Sequence, residues 1–400
     1  MRRTGELFTG QTQTLQGASV FLYPQSKMSH LCVRLLWSPM SGTGIMREEI
    51  DTPAVLVDLD LMEKNLSVMA VFLSGKKAKL RAHTKCHRTP AIARRQIEAG
   101  AKGICCQKVG EAEAMVDGGV KDIMVTNQIV TLRKIDRLVE MAKNASVSVP
   151  VDNPKNADDL SKAAVKEEIE LNVLVDIDLG SQRCGVEPGE QALKLARHVN
   201  SLPGLRVMGL MAFEGHLSWM EPRDQRRREC ERLEGILADT KRLIEKSGIT
   251  IEEISAGTTG TYDVTGKSSE VTEVQAGTYL LMDSFYHQHV PEFDCALSVL
   301  STVVSVPSGN RIVTDAGLMS VSNTYGDPVV KCEVGLRFRE LHAENTILEV
   351  EKGSKFEVGD KVELIPSYLD GTVNLFERLH AIRREKVEAV WSISGRGRSN

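Results

Sequence analysis

The chain has 400 residues, of which 42% are hydrophobic and 26% are charged, so its composition is that of a globular protein and excludes a collagen-like or wholly disordered chain. Its formal net charge is −4 and no basic stretch alternates with aromatic residues, which argues against nucleic acid as a partner. No apolar run reaches the ~18 residues of a membrane-spanning helix, so we expect no membrane partner either.

The cysteine pattern predicts a reducing compartment. Eight cysteines are scattered along the chain, and none belongs to a Cys-x-x-Cys pair of the kind that structural zinc sites use. Scattered cysteines in a chain long enough to build its own core are typical of reduced proteins. The sequence therefore predicts a cytoplasmic protein without a structural zinc site.

Residues 1–45 differ in composition from everything that follows. They are rich in Ser, Thr, Gln and Gly and poor in acidic residues, and the charge pattern changes abruptly at residues 46–49. We interpret this segment as an extension that is either disordered or upstream of the true start at Met46. A transit peptide, which is also Arg-rich, Ser-rich and acid-poor, is the alternative interpretation.

From residue 50 onward, short apolar runs alternate with segments of helical pattern. Most runs are continuous, which is typical of strands buried on both faces. Eight βα units within about 200 residues predict an α/β fold built on a TIM-type (β/α)8 barrel, for which we set the limits 61–285. A doubly wound sheet is the alternative, but no GxGxxG motif follows the first strand. The predicted strands are 79–85, 103–109, 122–127, 147–152, 171–179, 207–214, 253–257 and 273–281.

After residue 285 the pattern changes to strands separated by polar turns. We expect a second, mostly antiparallel β-domain made of residues 286–400 together with residues 46–60, whose apolar run can pair with it. The predicted strands are 297–306, 311–316, 331–338, 346–350, 361–365 and 379–382, with turn signals at 307–310 and 357–360.

The first predicted barrel strand ends in a cluster of basic residues: Arg81, His83, Lys85 and His87. Active sites of such barrels lie at the carboxyl ends of the strands. Positive neighbours lower the pKa of a lysine, so we expect Lys85 to be a neutral amine that can act as a nucleophile. A surface lysine in a basic turn is the alternative.

Small and hydroxyl-bearing residues follow the seventh predicted strand. Glycine lets backbone N–H groups approach an anion, threonine hydroxyls can donate to it, and barrels often bind phosphate after their last two strands. A tight turn that needs glycine is the alternative. Together with a lysine after the first strand, this loop predicts a site for pyridoxal phosphate. The candidate phosphate-binding residues are Gly257, Thr258, Thr259, Gly260 and Thr261, completed by Gly277 and Thr278 in the predicted eighth strand.

Two further candidates follow the fifth and sixth predicted strands. Arg183 stands just beyond the fifth and can hold the phenolic oxygen of the cofactor or a substrate carboxylate. His216 follows the sixth and can transfer a proton. A loop-stabilising arginine and a packed structural histidine are the alternatives.

These motifs together resemble a known family, the D-threonine aldolases and D-serine dehydratases, which are pyridoxal phosphate enzymes of the alanine racemase-like fold (fold type III). The resemblance extends from about residue 51 to residue 399. The motifs that carry it are 51–54, 81–87, 109–113, 178–186, 214–216, 255–262, 315–317, 372–374, 390–391 and 395–397.

The resemblance implies a role for each candidate. Lys85 would carry the cofactor as a Schiff base, with His83 and Arg183 among the cofactor-binding residues, and the segments 257–261 and 277–278 would hold the phosphate. It also implies a barrel joined to a β-domain. Proteins of this fold are commonly homodimers whose active site lies between the barrel of one chain and the β-domain of the other.

The metal site departs from the family pattern. Members usually have a histidine as one metal ligand and a second ligand two positions later, whereas this chain has Tyr368 at the histidine position and keeps Asp370. Loss of an imidazole predicts little or no binding of a divalent metal. Asp370 and His342 remain as candidate ligands. Without a metal, Tyr368, His216 or His342 would have to act on the substrate's β-hydroxyl group.

We therefore predict a pyridoxal phosphate-dependent lyase whose small-molecule substrate is a β-hydroxy-D-amino acid. Lys85, His216 and Tyr368 are the predicted catalytic residues. Cleavage to glycine and an aldehyde, as in an aldolase, is favoured over dehydration to an oxo acid and ammonia. An amino-acid racemase that uses Tyr368 as its second base and a non-catalytic pyridoxal phosphate carrier are the alternatives.

Overall fold

The computed structural model describes residues 13–15, 18–20, 43–307, 310–331 and 335–400. The predicted extension 1–45 lies mostly outside these residues. Its described part includes two short antiparallel strands, β1 (Gln13–Leu15) and β2 (Ala18–Val20). Within the described chain, no helix is both long enough and apolar enough to cross a membrane.

Eight parallel strands form a closed barrel, which confirms the predicted α/β barrel architecture. Their residues are mostly buried on both faces, as the continuous apolar runs indicated. The strands are β4 (Lys79–His83), β5 (Gly103–Cys106), β6 (Asp122–Val125), β7 (Ser146–Val151), β8 (Leu171–Asp176), β9 (Leu205–Ala212), β10 (Glu253–Ala256) and β11 (Glu273–Val274). Each pairs with the next in chain order, and β11 closes the barrel on β4.

Helices connect these strands. Several begin at residues suited to a first turn: Pro90 opens α2, and Asn153 caps α5, whose first residue is Pro154. The helices are α1 (Leu59–Leu73), α2 (Pro90–Glu98), α3 (Val109–Asp117), α4 (Leu132–Ala142), α5 (Pro154–Lys166), α6 (Glu190–Ser201), α7 (Arg223–Glu245), α8 (Tyr262–Thr265), α9 (Ser284–His289) and α10 (Leu369–Val373).

The second predicted region is a mostly antiparallel sheet. β3 joins it, as the early apolar run predicted, by pairing antiparallel with β12 and parallel with β18. The strands are β3 (Ala54–Asp58), β12 (Leu297–Ser305), β13 (Arg311–Thr314), β14 (Val329–Val330), β15 (Leu336–Leu341), β16 (Thr346–Val350), β17 (Lys361–Ile365), β18 (Arg378–Arg383) and β19 (Lys386–Ser392). The helix α10 follows β17 directly and brings this region to the barrel.

The predicted eighth strand, 273–281, is wrong in its second half. β11 ends at Val274, and Thr278–Leu280 form a 3-10 turn. Gly277 lies so close to the barrel wall that an added Cβ would be 2.5 Å from the carbonyl oxygen of His83. A continuous apolar run does not by itself distinguish a buried strand from a buried turn. Gly277 and Thr278 thus follow the strand instead of lying in it.

Two predictions in the second region fall partly on residues that the structure does not describe. The turn at 307–310 includes residues 308–309, and the strand at 331–338 includes residues 332–334. The described part of that strand begins at Leu336 and continues to Leu341.

A buried charge cluster occupies the amino-terminal end of the barrel. Arg81 is 1% exposed, and its guanidinium donates to Glu273 and to Asp122 at 2.7 Å each. Glu273 and Asp122 are the first residues of their strands, so Arg81 lies at the end of the barrel opposite the carboxyl ends. It therefore holds the strand starts together and takes no part in the site at the other end.

Replacing Arg81 should test this role. In Arg81→Met the fully buried Glu273 loses its main partner, and breaking a buried pair costs about 3–5 kcal/mol of unfolding free energy. The matched control is Arg206→Met, which removes the exposed pair with Glu252 and should cost less than about 1 kcal/mol. Urea unfolding measures both. Equal losses in the two variants would contradict the role assigned to Arg81.

Candidate active site

Lys85 stands at the carboxyl end of β4 on a short 3-10 turn, Thr84–Cys86. The backbone N–H of Lys85 donates to His83 Nδ1 at 3.3 Å, and the Thr84 hydroxyl makes 2.9 Å hydrogen bonds to the carbonyl oxygen of Cys105 and to Glu111. These bonds fix the turn on both sides of the lysine. The Lys85 side chain lines a cavity of about 290 Å³.

The ammonium of Lys85 pairs with a carboxylate from the second sheet region. Its Nζ lies 3.4 Å from Asp370 Oδ2, in α10, and the Asp370 side chain is only 9% exposed. The negative charge of Asp370 raises the pKa of Lys85 above its ordinary value, against the opposing effect of burial. The prediction that Arg81 and the histidines lower this pKa is therefore wrong, because Arg81 is at the other end of the barrel and the partner is an acid.

The cavity brings together the three predicted catalytic residues and some of the predicted binding residues. Lys85, Arg183, His216, Thr278, Tyr368 and Asp370 all line it. The Arg183 guanidinium lies over the ring of Phe213, 5.1 Å from its centroid. A smaller adjoining cavity is lined by His83 and by three side chains that also line the larger one, Lys85, Arg183 and Phe213. His83 is buried, which lowers its pKa and favours the neutral ring.

His87 and His342 lie away from this group. The ring of His87 is buried against Gln96 at 3.1 Å, which is a packed structural histidine. His342 is half exposed in the turn between β15 and β16, where it lies 3.4 Å from Glu340, and it does not line the cavity. Within this chain, the proposal that His342 serves the site has no contact to support it.

The predicted phosphate-binding loop, residues 257–261, does not itself line the cavity. A buried carboxylate organises it: Glu214 accepts hydrogen bonds from the Gly257 N–H and from the hydroxyls of Thr261 and Thr265, all at 2.9–3.0 Å. Gly260 is packed so tightly that a Cβ would be 1.9 Å from the carbonyl oxygen of Ser218. This glycine is thus required by the protein's own packing.

Several donors of the loop are already used within it. The N–H of Thr258 donates to Thr261 Oγ1 and that of Gly260 to Thr258 Oγ1, at 2.9 and 3.0 Å. From outside the loop, the N–H of Tyr279 donates to Thr259 Oγ1 at 3.1 Å. The Ser218 hydroxyl donates to Thr258 Oγ1 at 2.9 Å and also lines the cavity. Ser218 therefore connects the cavity to this loop by a hydrogen bond, and Thr278, which also lines the cavity, precedes Tyr279.

One wall of the cavity is aromatic, and the sequence analysis had identified only Tyr368 of it. We call it the aromatic wall, and it consists of rings in mutual contact, with centroids 4.9–6.3 Å apart. Burial raises the pKa of Tyr286 to about 12 and also raises that of Tyr368, so both phenols are neutral hydrogen-bond donors near pH 7. The aromatic segment directly after the eighth βα unit was the available signal. The members of the aromatic wall are Trp219, Tyr286, Tyr325 and Tyr368, which line the cavity, and Phe285, which packs against the first three of them.

The donors around Asp370 do not form a recognisable metal site. Among the residues that the structure describes, no group of three or more His, Cys, Asp or Glu side chains is placed to hold an ion. The side chain at position 368 is a neutral phenol, and Asp370 already has Lys85 as its counter-ion. This donor set does not fit a divalent cation.

Comparison with known proteins supports a single family. Residues 57–285 match the family model "Alanine racemase, N-terminal domain", and residues 296–382 match "Putative serine dehydratase domain". A D-threonine aldolase of Arthrobacter sp is 37% identical over 364 residues, which cover 90% of this chain and 96% of that protein. The chain belongs to the D-threonine aldolase and D-serine dehydratase-like family. The family predicted from the motifs is thereby confirmed.

Other members of the family show the same agreement over the whole fold. A 3-hydroxy-D-aspartate aldolase of Paracoccus denitrificans is 33% identical, covering 89% of this chain and 94% of its own length. The crystal structure of a D-threonine aldolase from Filomicrobium marinum superposes with a TM-score of 0.86 at 34% identity, covering 89% of this chain and 98% of that one. The barrel and sheet arrangement is thus the fold of the family.

Glu214 offers a test of the organised loop. Glu214→Gln keeps the shape of the side chain but turns an amide NH2 towards groups that donate, so a buried hydrogen bond is lost at a cost of about 1–3 kcal/mol. We expect this loss in urea unfolding, together with weaker binding of pyridoxal phosphate. Glu231→Gln, on the exposed face of α7, is the control and should change neither. Unchanged stability and binding in Glu214→Gln would show that the loop does not depend on this carboxylate.

Proposed function

We propose that this protein is a pyridoxal phosphate-dependent lyase that cleaves a β-hydroxy-D-amino acid into glycine and an aldehyde. The observation that carries the proposal is the placement of Lys85, His216, Arg183 and Asp370 around one cavity at the carboxyl end of the barrel. This is where barrels of this type carry out their chemistry.

The relatives favour cleavage over dehydration. The relatives at 37% and 33% identity are named aldolases, whereas D-threo-3-hydroxyaspartate dehydratase of Delftia sp. and D-serine dehydratase of Dictyostelium discoideum are 25% and 23% identical. Each of these four relatives is named for a D-amino acid with a hydroxyl group on Cβ. A small amino acid with a β-hydroxyl group is therefore the substrate class that we propose.

The residues of the cavity fit pyridoxal phosphate. Lys85 would supply an amine for the aldehyde, and Arg183, over the ring of Phe213, would supply a cation. Ser218 and Thr278 line the same cavity, and Ser218 is hydrogen-bonded to Thr258 in the loop of residues 257–261, so we assign the phosphate to this side of the cavity. When bound, this cofactor withdraws electrons from Cα of the amino acid and so weakens the bonds to that atom. His83, which lines the adjoining smaller cavity next to Lys85, would contact the cofactor as a neutral ring.

Side chains of the cavity would transfer the protons and orient the substrate. In the aldolase reaction the β-hydroxyl loses its proton, its oxygen forms the aldehyde, and the electron pair of the broken Cα–Cβ bond stays on Cα, which then takes up a proton. His216 lines the cavity and is the base that we assign to the hydroxyl. Tyr368, a neutral phenol, would donate a hydrogen bond to the hydroxyl oxygen, and Asp370 would neutralise the Lys85 ammonium.

We also propose the assembly and the domain limits that the sequence suggested. The barrel would comprise residues 61–285, and the β-domain residues 46–60 and 286–400. Tyr325, at the cavity, is 41% exposed, and Leu318 and Met319 are 43% and 61% exposed, which is consistent with a homodimer that covers part of this surface. A location in the cytoplasm remains part of the proposal.

Product analysis tests the function directly. The purified protein with pyridoxal phosphate should convert D-threonine, D-3-hydroxyaspartate or D-phenylserine to glycine and the matching aldehyde. The L-enantiomers, incubated in parallel, should remain unchanged. Chiral chromatography and aldehyde derivatisation measure both products.

The other outcomes each point to one alternative. Ammonia and an oxo acid would replace the aldolase by a dehydratase. Appearance of the opposite enantiomer alone would make Tyr368 a racemase base and overturn the lyase assignment. No turnover of any substrate, with the cofactor bound, would leave the carrier function.

The donor set around Asp370 leads to a prediction about metals. Exhaustive treatment with EDTA should reduce turnover by less than about twofold, because Tyr368 replaces an imidazole and Asp370 is paired with Lys85. Tyr368→His is the informative variant, and we expect added Mn²⁺ to raise its activity while leaving the wild type unchanged. Complete loss of wild-type activity in EDTA with recovery in Mn²⁺ would refute this.

A further inference from the structure

The turn that carries Lys85 is tied to α10 by Arg88, three residues further on. Arg88 Nε donates to the carbonyl oxygen of Lys85 at 3.4 Å, and its Nη1 hydrogen-bonds Asn374 Oδ1. Asn374 ends α10, the helix that bears Asp370. One guanidinium therefore connects the backbone of the lysine to the helix of the lysine's ion-pair partner.

The backbone at Arg88 is held in an unusual conformation. Its φ is +51°, in the left-handed region that residues with a Cβ rarely adopt. Such a residue persists where the surroundings hold it, and these positions occur preferentially at functional sites. Here the carbonyl oxygen of Arg88 accepts a hydrogen bond from the N–H of Gly395 at 2.9 Å. The left-handed turn thus presents both the side chain and the carbonyl of Arg88 to partners elsewhere in the fold.

Residues 394–400, which we call the C-terminal segment, complete this arrangement. The N–H of Gly397 donates to the same Asn374 Oδ1 at 2.9 Å, and the carbonyl oxygen of Asn400 accepts from the N–H of Gly110, in α3, at 3.0 Å. A Cβ on Gly395 would lie 3.2 Å from the carbonyl oxygen of Arg88, so this contact is close. The segment therefore contacts Arg88, the end of α10 and the start of α3.

The lysine turn is also held at Thr84, on the amino-terminal side of Lys85. Glu111, in the first turn of α3, accepts the hydrogen bond of the Thr84 hydroxyl, and Thr84 is the residue before Lys85. The lysine turn is thus held at Thr84 through α3 and at Arg88 through α10. The C-terminal segment bonds to both helices or their ends, and so links the two supports.

We propose that Arg88, Asn374 and the C-terminal segment act as a clamp that positions the Lys85 amine for attachment of the cofactor. The inference rests on the proposed function, in which Lys85 attaches pyridoxal phosphate. In that step the Lys85 ammonium first releases one proton to water. The neutral amine nitrogen then replaces the aldehyde oxygen as the double-bond partner of the carbon, and the oxygen leaves with the two remaining amine protons as water. The long side chain of lysine is flexible and does not by itself fix the position of the amine. The backbone from which it extends therefore has to be held in place.

The members of the clamp are positioning residues, because none of them touches the cavity. Their effect would act on rate more than on folding. A displacement of a reacting group by about 1 Å is enough to slow a reaction by up to about a hundredfold. The clamp would also keep α10, and with it Asp370, in register with the lysine.

Two single variants and one control test the clamp. Arg88→Gly removes the guanidinium but accepts the left-handed backbone, and Asn374→Leu removes the shared acceptor. The control is Arg384→Gly, the same substitution at an exposed arginine with φ of +47° in the β18–β19 turn. Each protein is stripped of cofactor, mixed with pyridoxal phosphate and quenched with borohydride at set times. Peptide mass spectrometry then gives the rate of attachment to Lys85 per folded molecule.

We expect Arg88→Gly and Asn374→Leu to attach the cofactor at least about tenfold more slowly than the wild type and Arg384→Gly. The double variant should be no slower than the slower single variant, because both substitutions break the same connection. Arg88→Lys keeps a cation but can donate to fewer partners, so its rate of cofactor attachment should lie between those of Arg88→Gly and the wild type. It also replaces Arg88→Gly as the test variant if that protein does not fold.

Two outcomes would overturn the clamp while leaving the proposed function intact. Attachment at the wild-type rate in the Arg88 and Asn374 variants is one. A lowered melting temperature with an unchanged rate per folded molecule is the other, since it would show a purely structural role. Absence of attachment at Lys85 in the wild type would overturn the clamp and the proposed function together.

Discussion

The ion pair between Lys85 and Asp370 is the contact on which the site depends. The lysine lies on the turn that follows the first barrel strand, and the aspartate lies in a helix that follows a strand of the second sheet. Because the Asp370 side chain is only 9% exposed, its charge needs a partner, and Lys85 lies 3.4 Å away. The cavity therefore exists only where barrel and sheet are joined. The barrel alone would present the lysine and His216 without Tyr368 or a counter-ion.

The barrel contributes rigidity beneath this pair. Glu214 holds the loop of residues 257–261 through three donors, and threonine side chains satisfy other N–H groups of the same loop. The loop is thus organised by the protein before any ligand binds, which reduces the ordering cost of binding. Arg81 performs a comparable task at the opposite end, where it joins the first residues of two strands.

Sequence reasoning located the parts of the site that follow from strand order. Parallel strands of a barrel end on one face, so Lys85, Arg183 and His216 had to converge, and they do. It failed where the partner is remote in sequence. The pKa direction of Lys85 depends on Asp370, 285 positions away, and Arg81, only four positions away, points to the other end of the barrel. Neither fact can be deduced from the charges of residues near Lys85 in the sequence.

The aromatic wall and the final turn of the barrel were missed for a related reason. Tyr286 becomes a cavity residue, with Phe285 packed against it, only because the chain leaves β11 early and turns at Thr278–Leu280. An apolar run of that length gives no sign of the turn, since strand and buried turn share the same composition. The clamp at Arg88 depends in the same way on a left-handed residue and on contacts with residues near position 395.

The attachment site of the cofactor is the most direct test of this account. The wild-type protein would be saturated with pyridoxal phosphate, reduced with borohydride, digested and mapped by mass spectrometry. The account predicts one modified peptide, labelled at Lys85, and no label in Lys85→Met. A label on another lysine, or an equal label in Lys85→Met, would contradict the assignment of the cavity and the function built on it.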